Sequence, residues 1–313
     1  MMTTDEHVST VYDIIGQSLA LCRSEPFPEF CRLVERVVAD RRPSTGSLPW
    51  LLLPIFTCEA LEGDLRQAHH VAAALEMGRV AAGCLDEWQD HDTDDALWQA
   101  VGAERAVNLS TGVIALALLT LTRLADLGAE PAVILELQKG FQLTLLRMCE
   151  GQHADLGKDR QLDDYEAIAG AKSGSLFRLG CRAGALVAGA PAEVVDLYGG
   201  LGHDLGVLIQ MWNDFQGLAG RQGKRDTEQQ RALPILAGLA LDQGAYDPLS
   251  IGGQAGQLYA LVRLQLFHQR AAEALARCPA PGRLASFLNS YSTHRLVEQA
   301  ARIGSQREEK DAP

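Results

Sequence analysis

The sequence predicts an all-α fold, a single-domain bundle of about ten or more helices around a central apolar cavity, and three observations carry that prediction. Residues of high helix propensity, Ala, Leu, Glu, Gln and Arg, fill the segments between Gly and Pro breaks. The β-branched and aromatic runs expected of strands are missing. Apolar residues recur at the i, i+3, i+4, i+7 spacing over stretches longer than a typical strand.

That spacing places helices at 7–23, 27–40, 48–62, 65–91, 95–126, 131–156, 163–188, 191–219, 231–243, 253–277 and 281–303. Pro131 and Pro191 sit in first turns, where a missing N–H costs nothing, and Gly128 and Gly189 lie just past last turns. The stretches 111–122 and 163–188 are apolar around most of their circumference, which puts them at the centre of the bundle. Ligand sites in such folds are built between facing helices. The polar stretches RRPSTGS (41–47) and GRQGKRDTEQQR (220–231) read as loops inside one domain, because the apolar helices on either side need partners. One domain therefore spans 1–313, with 1–6 and 305–313 as disordered tails.

Charge and cysteine usage narrow the function classes. The 28 Lys and Arg against 40 Asp and Glu give a net charge of -12, with no basic stripe, which argues against nucleic acid as a ligand. An acidic chain that acts on an anion needs something to reconcile the two, and a divalent cation held by carboxylates would do so. The 7 cysteines are widely spaced with no C-x-x-C pair, so they read as small buried residues of a reducing compartment. MMTTDEHVST lacks the basic and apolar regions of a signal peptide. The longest apolar run, VIALALLTLT (113–122), falls short of the roughly 20 residues that span a bilayer. A cytoplasmic location is the expectation.

Four helix ends concentrate polar groups. In DEWQDHDTDD (86–95) six of the ten positions are carboxylates, and Asp86 and Asp90 are one turn apart where the apolar helix VAAALEMGRVAAGCL emerges from the core. Like charges at that spacing repel, so a cation should compensate, and Mg²⁺ takes carboxylate oxygens while leaving positions for phosphate. A solvated acidic helix end is the alternative for this stretch. In QMWNDFQGL (210–218), Gln210 and Asp214 lie one turn apart beside Asn213, at the end of LGHDLGVLIQMW; helix-end capping is the alternative there. CEGQHADLG (149–157) sets Gln152 and Asp155 on one face, and Lys172 opens the small-residue run KSGSLFRLGCRAGALVAG.

Taken in order, D-x-x-x-D, G-Q-x-x-D, K-S-G-S-L-F and Q-x-x-N-D-x-x-G resemble the trans-prenyl diphosphate synthases of the class I isoprenoid synthase fold over residues 25 to 300. DHDTDDALW, GQHADL and KSGSLFRLGCRAGALVAGA look most like the ComQ-type isoprenyltransferases, which modify a Trp of a pheromone peptide, and like related non-elongating, terpene synthase-like members. The resemblance implies that Asp86 and Asp90 bind Mg²⁺, three ions per active site, with Glu87 accessory and Asn213 and Asp214 as the second motif. It further implies Lys172 as a diphosphate contact, Gln152, Asp155, Gln210 and Arg79 as substrate-side polar groups, and a homodimer. Trp88, Phe177, Trp212 and Phe215 are candidate cavity residues whose rings could face a cation, and packing at helix ends is the alternative for each.

The departures from that family concern the acceptor. Its elongating members bind isopentenyl diphosphate with a G-K-R segment and an R-R-G segment; here TGSLPW (45–50) and TDDALW (93–98) hold no basic residue. The family's usual His is Arg79, and its K-x-T-L-P is QRALP (230–234); Arg41, Arg42 or Arg231 could compensate. The expected reaction is Mg²⁺-dependent ionisation of an allylic prenyl diphosphate of C15–C20 length, with transfer to an acceptor other than isopentenyl diphosphate. Cyclisation by a class I terpene synthase is the alternative, and ordinary elongation or a non-catalytic subunit comes behind. Ala81 and Ala82, about one turn before Asp86, are small where bulky residues would floor the cavity, which sets the length expectation.

Overall fold

The computed structural model of the chain describes residues 2–21, 28–44, 50–91, 97–157, 161–218, 236–237 and 251–292. Among them every regular element is helical: α1 (Thr4–Ala20), α2 (Pro28–Asp40), α3 (Leu53–Ala60), α4 (Leu65–Gln89), α5 (Leu97–Val101), α6 (Ala103–Thr122), α7 (Pro131–Asp155), α8 (Tyr165–Ala169), α9 (Ser175–Val187), α10 (Ala192–Leu218), α11 (Ile251–Arg277) and α12 (Leu284–Asn289). Of the expected helix 231–243 only the helical pair 236–237 is described; the expected loop 220–231 with Arg231, the far part of 281–303 and the tail 305–313 lie outside the described residues.

Local chemistry moved three expected boundaries. Thr3 caps α1 in a reciprocal box: its hydroxyl accepts from the Glu6 N–H at 3.3 Å, while its own N–H donates to Glu6 Oε2 at 2.6 Å. Residues 4–6 are therefore the first turn of a helix, not part of a frayed tail. Gly102 takes φ 90°, a conformation that interrupts the expected helix 95–126 between α5 and α6. Between α8 and α9 the chain passes through one π-helical turn, Gly170–Gly174, inside what the spacing read as a single helix 163–188.

The core surrounds α4, whose residues Val71 to Met77 are almost wholly buried. α4 packs on α6 and α1, and α10 lies between α9 and α11. Together with the 3₁₀ turn that follows it, α6 spans Ala103–Leu127, 25 residues that include an 18-residue stretch of mean hydropathy 1.6, long and apolar enough on those measures to cross a membrane. Leu109, Val113, Ala117 and Leu121 are instead buried in the same core as α4. Gly206 of α10 brings that helix against the π turn, where an added Cβ would stand 2.5 Å from the Ser173 carbonyl oxygen.

α1 docks on α4 through two buried histidines, with His7 Nδ1 2.9 Å from His69 Nε2. Burial, reinforced by His69 and Arg283 and opposed by Glu6, pulls the pKa of His7 down to about 4. Burial also lowers that of His69. The unfolded chain takes up these protons near pH 6.5 while the folded protein resists them, so this contribution is fully present above about pH 6.5 and is lost as pH falls toward 4. For His7 the loss at pH 5 is about 2 kcal/mol. The difference in unfolding free energy between pH 7.5 and pH 5 is expected to shrink by that amount in His7→Gln, measured by urea titration. An unchanged pH dependence would remove His7 from the account.

Candidate active site

The C-terminal end of α4 supplies two carboxylates. Asp86 lies in its last turn, and Asp90 is the capping residue whose N–H donates to the Asp86 carbonyl at 2.8 Å. A helix C-terminus is the negative end of the backbone dipole, so carboxylates there are disfavoured without a counter-charge. Lys172, from the π turn, provides one: its Nζ donates to Asp155 Oδ2 of α7 at 2.8 Å and stands 3.2 Å from Asp86 Oδ1. Gln152 of α7 donates from Nε2 to Asp90 Oδ1 at 3.3 Å.

Burial works against the Lys172 ammonium, but Asp86, Asp155 and Asp90 outweigh it and hold its pKa above the usual lysine value. Three carboxylates thus face one ammonium, which leaves the group two negative charges in excess. That excess has the sign a divalent cation would balance, although among the described residues no three His, Cys, Asp or Glu side chains are gathered closely enough to hold a metal by themselves. Gln152 Oε1 is buried with no hydrogen-bond partner among the described residues, one more oxygen acceptor beside this group. The Lys172 stem is admitted by Gly151, where a Cβ would come within 2.9 Å of Lys172 Cγ.

A second group lies along α10. Asp214 accepts on Oδ2 from the Tyr165 hydroxyl at 2.6 Å and on Oδ1 from Gln210 Nε2 at 3.1 Å. Gln210 in turn accepts on Oε1 from the Ser173 hydroxyl at 2.7 Å. Ser173 follows Lys172 in the π turn, so one five-residue segment touches both groups.

Other expected site residues are placed differently. Asn213 is exposed on α10: successive helical residues point about 100° apart, and Asp214 takes the inward direction. Arg79, expected as a substrate contact, is bound to Glu76 on the preceding turn of α4 through Nε at 3.0 Å and Nη2 at 2.7 Å. Burial opposes that guanidinium charge and Glu76 outweighs it, so Arg79 stays firmly protonated. Trp212 is buried edge-on against Tyr291, the packing alternative, and Phe215 and Trp88 are half-buried. Phe177 lies 6.2 Å from Trp50, ring centre to ring centre; Ala81 is buried and Ala82 half-buried.

Arg41 and Arg42 do reach this end of the protein. Arg41 is held bidentately by Glu87 at 2.7 and 2.8 Å, and Arg42 lies over the Tyr12 ring at 5.0 Å. Sequence reading missed Tyr165, Ser173, Glu76 and Trp50. Their partners lie 49, 37 and 26 residues away, except for the local pair of Glu76 with Arg79, and no spacing rule connects positions so far apart.

Comparison with known proteins identifies the family and the fold. The polyprenyl synthetase family model matches residues 51–243. A polyprenyl synthetase from Streptomyces coelicolor A3(2) superposes with a TM-score of 0.72 at 18% identity, covering 95% of this chain and 98% of that one, which establishes the fold. Geranylgeranyl diphosphate synthase of Mycobacterium tuberculosis is 30% identical over 220 residues, 64% of this chain and 61% of its own length. Heptaprenyl diphosphate synthase component 2 of Geobacillus stearothermophilus is 30% identical over 259 residues, 76% of this chain and 72% of that protein. The family match over more than half the chain and the shared fold lead to one conclusion: this chain belongs to the polyprenyl synthetase family.

Proposed function

We propose that the protein is a magnesium-dependent prenyltransferase that ionises an allylic diphosphate of farnesyl or geranylgeranyl length and passes the prenyl cation to an acceptor other than isopentenyl diphosphate. The C–O bond breaks with its electron pair leaving on diphosphate, and the acceptor supplies the pair for the new bond. Asp86 and Asp90 on α4 and Asp214 on α10 are the residues proposed to hold magnesium, which when bound supplies positive charge to the departing diphosphate. Exposed Asn213 is left out of that set. Lys172, which its three carboxylates keep protonated, is the proposed diphosphate contact once magnesium balances those carboxylates. A homodimer is part of the proposal, supported by the exposed Leu119, Leu135, Leu143 and Leu146 on α6 and α7.

The observation that supports an unusual acceptor is the state of the arginines. Arg79 is paired with Glu76 and Arg41 with Glu87, so both of these guanidinium charges are already matched by a carboxylate. An entering second diphosphate would have to compete with those carboxylates. Chain elongation is the second reading, favoured by the relatives, a geranylgeranyl diphosphate synthase and a heptaprenyl diphosphate synthase component.

Incubation with geranyl, farnesyl and geranylgeranyl diphosphates and Mg²⁺, with and without isopentenyl diphosphate, separates these readings by product mass. Release of diphosphate with no lengthening is expected. Longer diphosphates would establish elongation, and cyclic hydrocarbons formed without any acceptor would establish cyclisation. Ala82→Phe, one turn before Asp86, is expected to lower turnover of geranylgeranyl relative to geranyl diphosphate by about tenfold. Equal handling of both lengths by that variant would count against Ala82 as part of the cavity floor.

A further inference from the structure

Resting on the function proposed above, we infer that Tyr165 is a positioning residue: its hydroxyl, together with the Ser173–Gln210 bond, fixes the orientation of the Asp214 carboxylate for cation binding.

Tyr165 is 1% exposed, so its ring is held by packing and cannot follow a rotating partner. Its hydroxyl donates to Asp214 Oδ2 at 2.6 Å, while Gln210 donates to Oδ1. Donors on both oxygens, from two different helices, stop rotation about the Cβ–Cγ bond of Asp214. Gln210 lies on the same helix as Asp214 and one turn away, so alone it would move with it. Tyr165 ties the carboxylate to a separate element.

The amide of Gln210 is also oriented. Its carbonyl oxygen accepts from Ser173 at 2.7 Å, which leaves the NH₂ group facing Asp214 and makes the flipped amide unfavourable. Tyr165 and Ser173 belong to one continuous stretch, α8 and the π turn. The side chains Tyr165, Asp214, Gln210 and Ser173, with the backbone from 165 to 173, therefore close a circuit. Lys172 projects from the same stretch to Asp86 and Asp155. The circuit sets Asp214 relative to the first acidic group. Close approach at Gly206 holds α10 against the turn that closes it.

Removing an outer partner of a metal-binding carboxylate weakens affinity by about 10- to 100-fold. The test titrates Mn²⁺ into the full chain in the presence of farnesyl thiolodiphosphate, an unreactive allylic analogue, and follows bound metal by electron paramagnetic resonance. Tyr165→Phe keeps the ring and its burial and removes only the donor. It is expected to weaken Mn²⁺ binding by about tenfold, and Asp214→Asn to weaken it further. The double variant should be no worse than Asp214→Asn alone, because the inferred effect of the phenol on the metal runs through that carboxylate. Ser173→Ala, at the half-buried far end of the circuit, is expected to cause a smaller loss in the same direction, and it carries the test if Tyr165→Phe unfolds.

Wild-type Mn²⁺ binding by Tyr165→Phe, or a loss that adds in full to that of Asp214→Asn, would overturn the inference and leave the proposed function standing. A wild-type chain that binds no Mn²⁺ with the analogue would overturn both.

Discussion

Replacing Asp86 by asparagine is expected to slow diphosphate release from an allylic prenyl diphosphate by about a hundred- to a thousandfold without lowering the melting temperature. The two halves of that result have separate causes. Asp86 is one of three carboxylates facing the single Lys172 ammonium, and its side chain is 37% exposed. Asparagine removes an attraction to Lys172 and a repulsion from Asp90 together, so the folded state loses little. For the proposed chemistry the change is not balanced, because the charge that would hold magnesium against the leaving group is gone. Such a pairing of lost activity with kept stability marks residues placed for function at a cost to the fold. Single-turnover release of diphosphate and thermal unfolding of the same preparation check both halves. A wild-type rate would sink the metal-binding role proposed for Asp86, whereas a collapse in melting temperature would make the residue structural.

The fold was legible where periodicity alone decides. α7 at Pro131–Asp155 and α11 at Ile251–Arg277 lie within a few residues of the helices expected at 131–156 and 253–277, because long amphipathic faces leave little choice of register. Boundaries set by single residues were less legible. The T-x-x-E box that starts α1 three residues early is a local signal that apolar spacing does not see. The break at Gly102 rests on a backbone angle, and the π turn at 170–174 on packing against α10, so neither is visible as a change of period.

At the candidate site, one-turn spacing was enough to single out Asp86 with Asp90, Gln152 with Asp155, and Gln210 with Asp214, and the structure brings Lys172 to the first two of these pairs. At two positions the structure adds a partner that residue type did not show. Arg79 looked like a ligand contact because a cation stands there, yet Glu76 three residues earlier was the nearer partner. Trp212 looked like a cavity ring, and Tyr291, far along the chain, claims its edge. Tyr165 was passed over because a buried tyrosine is ordinary until its hydroxyl is seen to meet Asp214.

Glu76→Leu is expected to destabilise the protein by about 3 to 5 kcal/mol, measured by urea unfolding. The carboxylate is fully buried and accepts from Trp50 Nε1 at 2.8 Å, from the Tyr12 hydroxyl at 3.1 Å and from both arms of Arg79. Leucine leaves the Arg79 charge largely desolvated without its counter-ion and strips the indole N–H of its acceptor, and uncompensated buried charge costs more than a lost neutral hydrogen bond. Glu76→Gln keeps a carbonyl acceptor and should lose less. Removing both charges in Glu76→Leu/Arg79→Leu should recover much of the loss, since replacing a whole buried pair by apolar groups is often close to neutral. A loss below about 1 kcal/mol in Glu76→Leu would show the pair to be solvent-relaxed. The double variant also bears on the acceptor. If Arg79 serves Glu76 and not a second diphosphate, the double variant should still release diphosphate from an allylic substrate near the wild-type rate. A large drop in a folded double variant would return Arg79 to the substrate side and favour chain elongation.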